Sequence, residues 1–317
     1  SLKKTPVDYV TGHISLVYEL VYAKSISIAK EQGYIKKLMD FKSDNRKTEE
    51  QFRQIRSVMN AYLEKRSGSR TDYKNYIFDL YGTLVDIHTD EKKEFLWENM
   101  ARIFSMMGAV YEKKELEEAY LKLVKQEERE SVFRAQKTFE DENLCCQEAE
   151  VLLENVFGQL FLKKNIQADK RQIRQMGIVF RSLSISHIRL FDGARALLER
   201  LRKNGKKIYL LSNAQRMFTE PEMKMLGIYE YFDGILYSSD QGVKKPSSYF
   251  YDALFKQYGL NKEESVMIRN EYQADIYGAD NYGIKSMYIY TAQSGKEAGK
   301  LSVCFICYNQ IPRCTYI

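Results

Sequence analysis

After residue 190 the chain alternates between two periods. A helical pattern over 193–203 leads to the apolar run Lys207–Leu211, a second helix leads to Gly234–Ser238, and a third over 247–258 leads to Ser265–Ile268. Ser286–Tyr290 closes the series. An earlier run of the same kind, Tyr76-Ile77-Phe78, stops at Asp79 ahead of a glycine-containing loop. Short apolar strands separated by helices bury their faces best in a parallel sheet covered by helices, so the alternation predicts an α/β fold with a Rossmann-like core. Between the first strand and the rest, residues 91–185 read almost wholly helical, rich in Lys and Glu and punctuated by Leu and Phe. That block reads as a helical insertion after the first strand.

Open parallel sheets bind ligands beyond the carboxyl ends of their strands. The residues in those places are therefore the candidates. Asp79-Leu80-Tyr81-Gly82-Thr83-Leu84 follows the first strand, and Ser212-Asn213 follows the second. Gly242-Val243-Lys244-Lys245-Pro246 follows the third. Arg269-Asn270 follows the fourth, with Asp275 five residues beyond Asn270 and then Gly278-Ala279. Each alone reads as a polar loop residue. Together they would bring a carboxylate, a hydroxyl, an ammonium and a second carboxylate to one edge.

This ordered set resembles the four motifs of the haloacid dehalogenase (HAD) superfamily, over about two-thirds of the chain from Tyr76 to Tyr290. The resemblance implies a HAD α/β core over 71–87 and 190–317 and a helical cap over 88–189, with residues 1–70 as a helical extension of unknown role. It also implies roles. Asp79 would be the nucleophile of a covalent acyl intermediate that water later hydrolyses. Ser212 and Asn213 would donate hydrogen bonds to the transferring group, and Lys245 would offset negative charge on substrate and Asp79. Mg²⁺ would be held by Asp79, the Tyr81 backbone carbonyl, Asn270 and Asp275, oxygen donors of the kind this ion takes. Gly82 and Thr83 would shape and orient the Asp79 loop against the substrate.

Two positions depart from the superfamily's phosphatase pattern. Phosphatases usually carry an Asp two residues after the nucleophile, as the general acid for the leaving oxygen, where this chain has Tyr81. Loss of such an acid costs on the order of 10²–10⁴ in rate for a poor leaving group. It costs little when the leaving group is stable as an anion, as halide, aryl oxide or carboxylate is. The pattern Asp-x-Tyr-Gly-Thr is typical of the superfamily's 2-haloacid dehalogenases. The second departure is Arg269-Asn270, where Gly-Asp is usual; one negative charge is removed, so Mg²⁺ should bind more weakly. The five-residue step from Asn270 to Asp275 follows phosphatases, and Val110 stands where dehalogenases carry an early cap arginine. Within the insertion, Arg134 is a candidate substrate-binding residue, grouped with Gln136 and Lys137, against the simpler reading of a solvated face. His88, His187 and Arg189 lie close enough in sequence to the strand ends to reach the cleft, though loop positions are the simpler reading.

The leading expectation is a Mg²⁺-dependent phosphatase of a small anionic metabolite, working through an aspartyl-phosphate on Asp79 with no evident general acid. A metal-independent 2-haloacid dehalogenase-type hydrolase is the second reading, and a degenerate domain kept for binding or assembly is the third.

The rest of the chain narrows the setting. With 44% hydrophobic and 29% charged residues it is not disordered throughout, and no apolar run approaches the ~18 residues of a membrane-spanning helix. Lys3 and Lys4 are not followed by an apolar core, so no signal peptide is expected, and five sparse cysteines argue against a disulfide framework. The expected compartment is the cytoplasm. Cys304, Cys307 and Cys314 supply three thiols, one short of a usual structural zinc site. The net charge of +6 resides in the first 70 residues, which hold 14 basic against 8 acidic residues. Interspersed acids favour a solvated helical face over nucleic acid or lipid binding. Apolar stripes at Val10, Ile14, Val17 and Val21, and at Phe52, Ile55, Met59 and Leu63, predict two helices ahead of a Ser67-Gly68-Ser69 linker. Two such helices cannot bury both stripes alone, so they are expected to dock on the second unit or to build a homo-oligomer.

Overall fold

The computed structural model describes residues 73–270 and 276–288. The expected N-terminal helices, Asp275 and the three C-terminal cysteines lie outside the described residues. Among the described residues seven strands form: β1 (Asn75–Phe78), β2 (Val85–Thr89), β3 (Ile185–Leu190), β4 (Lys207–Ser212), β5 (Gly234–Tyr237), β6 (Ser265–Arg269) and β7 (Lys285–Tyr288). Five of them build one sheet in the order β5-β4-β1-β6-β7, and every pairing is parallel. The expected α/β core is therefore present, and the chain order explains what it positions. β1 lies at the centre, so its end is flanked by the ends of β4 and β6. Phe78 is in register with Leu210 on one side and Ile268 on the other. Asp79, one residue on, leaves the middle of the sheet's carboxyl edge.

All four β1 side chains are buried, as a central strand covered on both faces requires. Ile77, Tyr209, Leu211, Leu236 and Met267 join one apolar cluster with Phe250, Tyr251, Leu254 and Phe255 of helix α8 (Ser248–Tyr258). Helix α5 (Ala194–Lys203) packs on β4 and buries Leu197, Leu198 and Leu201 at helical spacing. Helix α6 (Arg216–Met225) follows β4, the short α7 (Ser238–Gln241) follows β5, and α9 (Ile276–Tyr282) precedes β7.

The block expected to be helical holds α1 (Glu94–Met106), α2 (Lys113–Phe139), α3 (Leu153–Leu162) and α4 (Lys170–Ser184). Their apolar stripes meet in a second core of Leu96, Trp97, Phe104, Tyr120, Phe157 and Phe180. Asp169 starts α4 with a capping box: its Oδ1 accepts from Gln172 N, and Gln172 Oε1 accepts from Asp169 N, each at 2.8 Å.

One part of the sequence reading needs correction. Residues 85–89 and 185–190 are neither loop nor helix; β2 and β3 pair antiparallel into a two-stranded ribbon through which the chain enters and leaves the helical insertion. The signal was partial, since Val85-Asp-Ile-His88 and His187-Ile-Arg-Leu190 each alternate apolar and polar residues for only four positions. His88 faces His187 across this ribbon with ring centroids 6.0 Å apart. Asp86 accepts from Arg189 Nε at 2.8 Å and lies 3.2 Å from His187 Nε2. These two histidines and Arg189 thus belong to the ribbon. Among the described residues no helix is long and apolar enough to cross a membrane.

Candidate active site

Three loops at the carboxyl edge converge on Asp79. Its backbone N–H donates to Ile268 O at 3.0 Å, so the strand ladder still holds the residue while its side chain leaves the sheet. Lys245 Nζ donates to Asp79 Oδ1 at 2.8 Å, and Ser212 Oγ donates to the same oxygen at 3.3 Å. The lysine side chain is 2% exposed and the aspartate 13%, so the pair is shielded while the carboxylate keeps an open face. Burial of this kind makes a charge pair far stronger than it would be in water.

Asn213 is clamped to the backbone of Lys245. Its Nδ2 donates to Lys245 O at 2.9 Å and its Oδ1 accepts from Lys245 N at 2.8 Å. The residue expected to bind substrate therefore sets the position of the lysine. On the other side of Asp79, the buried Thr83 donates through Oγ1 to Asn270 Oδ1 at 3.0 Å, tying the motif-one loop to the end of β6. Gly82 makes this approach possible. Its φ is +76°, and a Cβ there would lie 2.5 Å from Asn270 Nδ2. Arg269 is fully buried at the end of β6. Arg134 is not brought to this cluster. It pairs with the buried Glu127 inside the insertion, and Glu127 also accepts from Leu152 N at 3.3 Å and Asn155 Nδ2 at 3.1 Å.

Tyr81 reaches helix α6 with its hydroxyl. Its hydroxyl lies 3.0 Å from Thr219 Oγ1 and donates to the Glu222 carboxylate, both on α6. Burial first, and then the Glu222 charge, push its phenol well above the ordinary tyrosine range. Arg181 of α4 completes the group, with Nε donating to Glu222 Oε1 at 2.7 Å and its guanidinium 5.5 Å from the Tyr81 ring centre. Nothing local in sequence announces this network, since Tyr81 and Glu222 are 141 positions apart.

The insertion also touches the loop that carries Lys245. Ala149 forms an antiparallel bridge with Val243, Glu150 N donates to Gly242 O at 2.9 Å, and Lys244 N donates to Glu148 O at 2.7 Å. Gln215, two residues beyond Asn213, holds the same segment through Glu150 Oε1 at 2.9 Å and Val151 O at 2.7 Å.

Of the residues expected to hold an ion, Asp79, Tyr81 and Asn270 lie among the described ones and carry a carboxylate, a backbone carbonyl and a side-chain amide. Gly82 lets that amide lie against the motif-one loop, so an all-oxygen set for a hard cation is compatible with the residues present. Among the described residues there is no group of three or more His, Cys, Asp or Glu side chains that could hold a metal, and Asp275 lies outside them.

A parallel sheet with a strand-end carboxylate and a buried lysine at its central edge puts charged groups where open α/β sheets bind their ligands. The chain matches the haloacid dehalogenase-like hydrolase family over residues 73–278 and belongs to that family. It is 24% identical over 132 residues to the glyceraldehyde 3-phosphate phosphatase of Pyrococcus furiosus, covering 42% of this chain and 55% of that protein. It is 26% identical over 112 residues to the ribulose-1,5-bisphosphate 5-phosphatase of Halopiger xanaduensis, covering 35% of this chain and 47% of that protein. The chain spans about half the length of these curated relatives. The 2-haloacid dehalogenase of Pseudomonas syringae pv. tomato shares its fold, with a TM-score of 0.51 at 18% identity over 76% of this chain and 97% of that one.

Proposed function

We propose that the protein is a Mg²⁺-dependent phosphohydrolase of a small anionic metabolite, with Asp79 as nucleophile. The contact of Lys245 Nζ with Asp79 Oδ1 at 2.8 Å carries this reading, because it places a charge-compensated carboxylate at the centre of the sheet edge. The relatives named as phosphatases support it. In this reading an Asp79 oxygen bonds to phosphorus as the bond to the leaving oxygen breaks and its electron pair departs with that oxygen. Water then attacks the acyl phosphate, releasing phosphate and regenerating the carboxylate. Lys245 neutralises charge, Ser212 donates to a phosphoryl oxygen, and Asn213 holds the lysine backbone in place. Thr83 and Gly82 keep the motif-one loop against Asn270. Asp79, the Tyr81 carbonyl, Asn270 and Asp275 would hold Mg²⁺, which when bound supplies charge neutralisation at the phosphoryl oxygens. Residues 88–189 form the cap in this reading, over a core of 71–87 and 190–317. Arg134 is left out of the substrate contacts, because Glu127 holds it within the insertion.

Hydrolysis of para-nitrophenyl phosphate with Mg²⁺ and with EDTA tests the proposal. Turnover with Mg²⁺, abolished by EDTA and by Asp79→Asn, is expected; full activity in Asp79→Asn would refute it. The orientation of Tyr81 toward Glu222 keeps a second reading open, since a halide leaving group needs no proton. Halide release from 2-chloropropionate in the presence of EDTA would favour that reading.

A further inference from the structure

Tyr81, Glu222 and Arg181 link the motif-one loop to the helical insertion through two elements that no sequence motif connects. Tyr81 sits two residues after Asp79, and its backbone turn is tight: Gly82 N donates to Val85 O at 2.8 Å, and Leu84 N donates to Leu80 O at 2.7 Å. The phenol is the lever on this turn, and its far end is held by Glu222 and Thr219 on α6. Glu222 is buried, with its side chain 7% exposed, and the partner that balances its charge is Arg181 of the insertion, 17% exposed. The same guanidinium lies 5.5 Å from the Tyr81 ring centre and 5.4 Å from that of Phe218, within cation–π range of both. The two helices meet closely at this point. A Cβ on Gly177 of α4 would come within 2.5 Å of Met217 Sδ on α6.

We propose that Glu222 and Arg181 are positioning residues for the Asp79 loop: Arg181, supplied by docked helix α4, orients Glu222, and Glu222 holds Tyr81 so that the turn presents Asp79 correctly. This rests on Asp79 being the reacting group. Its consequence is that the nucleophile loop is set when the insertion is docked, so the insertion contributes to chemistry without touching the reacting atoms. A buried carboxylate that loses its cation is left uncompensated and its site is strongly destabilised, and small misplacements near a reacting group are costly in rate.

The test uses the full chain and the variants Tyr81→Phe, Glu222→Gln and Arg181→Met, with Arg174→Ala as control. Arg174 lies on the same helix but pairs with Glu154 at 3.0 Å, and its side chain is 54% exposed. The first measurement is hydrogen–deuterium exchange of the peptide spanning residues 79–85. Each of the three variants is expected to speed exchange there about tenfold, with β5 and β7 peptides unchanged and the control like wild type. The second is the split of kcat against KM on para-nitrophenyl phosphate. The expected result is a fall of about tenfold in kcat, KM within twofold, and a Tyr81→Phe/Glu222→Gln pair no worse than its worse single variant, as for residues acting as a unit. Tyr81→Phe removes only a hydroxyl, so it still reads the coupling if Glu222→Gln fails to fold. Unchanged exchange over 79–85 in the folded variants, or exchange that rises uniformly across the chain, would overturn the proposal. If wild type turns over no substrate, the phosphatase reading fails, and the exchange pattern alone decides the coupling.

Discussion

Gly82 and Asn270 approach closely beside Asp79. The φ of +76° at Gly82 costs a residue with a Cβ about 1–2 kcal/mol, and the Asn270 amide already fills the space such an atom would need. Gly82→Ala should therefore destabilise the protein by at least about 1–2 kcal/mol. It should also lower turnover by about 10²-fold, since Asn270 would have to move. Thermal unfolding and kcat/KM measured on the same preparation check both; unchanged activity would show that the contact does not set the site. Asn213 teaches a related point. From sequence it read as a substrate donor, but its amide is engaged at both ends with the Lys245 backbone. Residue type told where a polar group would lie, and only the packing told which way it acts.

At the scale of elements, the segment 148–150 holds the insertion to the core, and it includes a buried acid. Burial pushes the Glu150 carboxyl above the usual range, against the opposing hydrogen bonds of Ser238 and Gln215 and the charge of Lys244. A raised folded pKa means that the native state binds the proton more tightly than the unfolded chain. Stability therefore falls as pH rises from the ordinary carboxylate range, about 4.3, through the folded value. Glu150→Gln should raise the Tm at pH 8 and leave it nearly unchanged at pH 4, a difference that scanning calorimetry at the two pH values reads. A lower Tm at pH 8 would mean that the charged form is the one the site needs. The β2–β3 ribbon is the element that sequence reading missed. Its strands are five and six residues long, nearly a hundred positions apart, and flanked by strong helical patterns that dominate any local window. Its alternation became meaningful only once the two halves were opposite each other.

For the whole molecule, the orientation of Tyr81 bears on which substrates can turn over. Its hydroxyl is bound to α6, so in the phosphatase reading Tyr81 is not placed to protonate the leaving oxygen. A series of aryl phosphates should show kcat/KM falling steeply as the pKa of the leaving phenol rises, with simple alkyl phosphates 10²-fold or more poorer, about what a missing general acid costs. A flat series would reveal an acid supplied from elsewhere. The sequence by itself determined the class of this protein. The alternation of strands and helices, with polar residues after each strand, dictates a parallel sheet with Asp79, Ser212, Lys245 and Asn270 at one edge, because strand ends in such a sheet all point the same way. Those properties are local or periodic, so they are written in short stretches of chain. Tertiary structure alone decided the partners: that Asn213 clamps Lys245, that Tyr81 answers to Glu222 and Arg181, and that the insertion pairs with the loop before Lys245. Each of those contacts joins residues at least 32 positions apart, and it exists only because burial leaves each polar group no alternative partner in water.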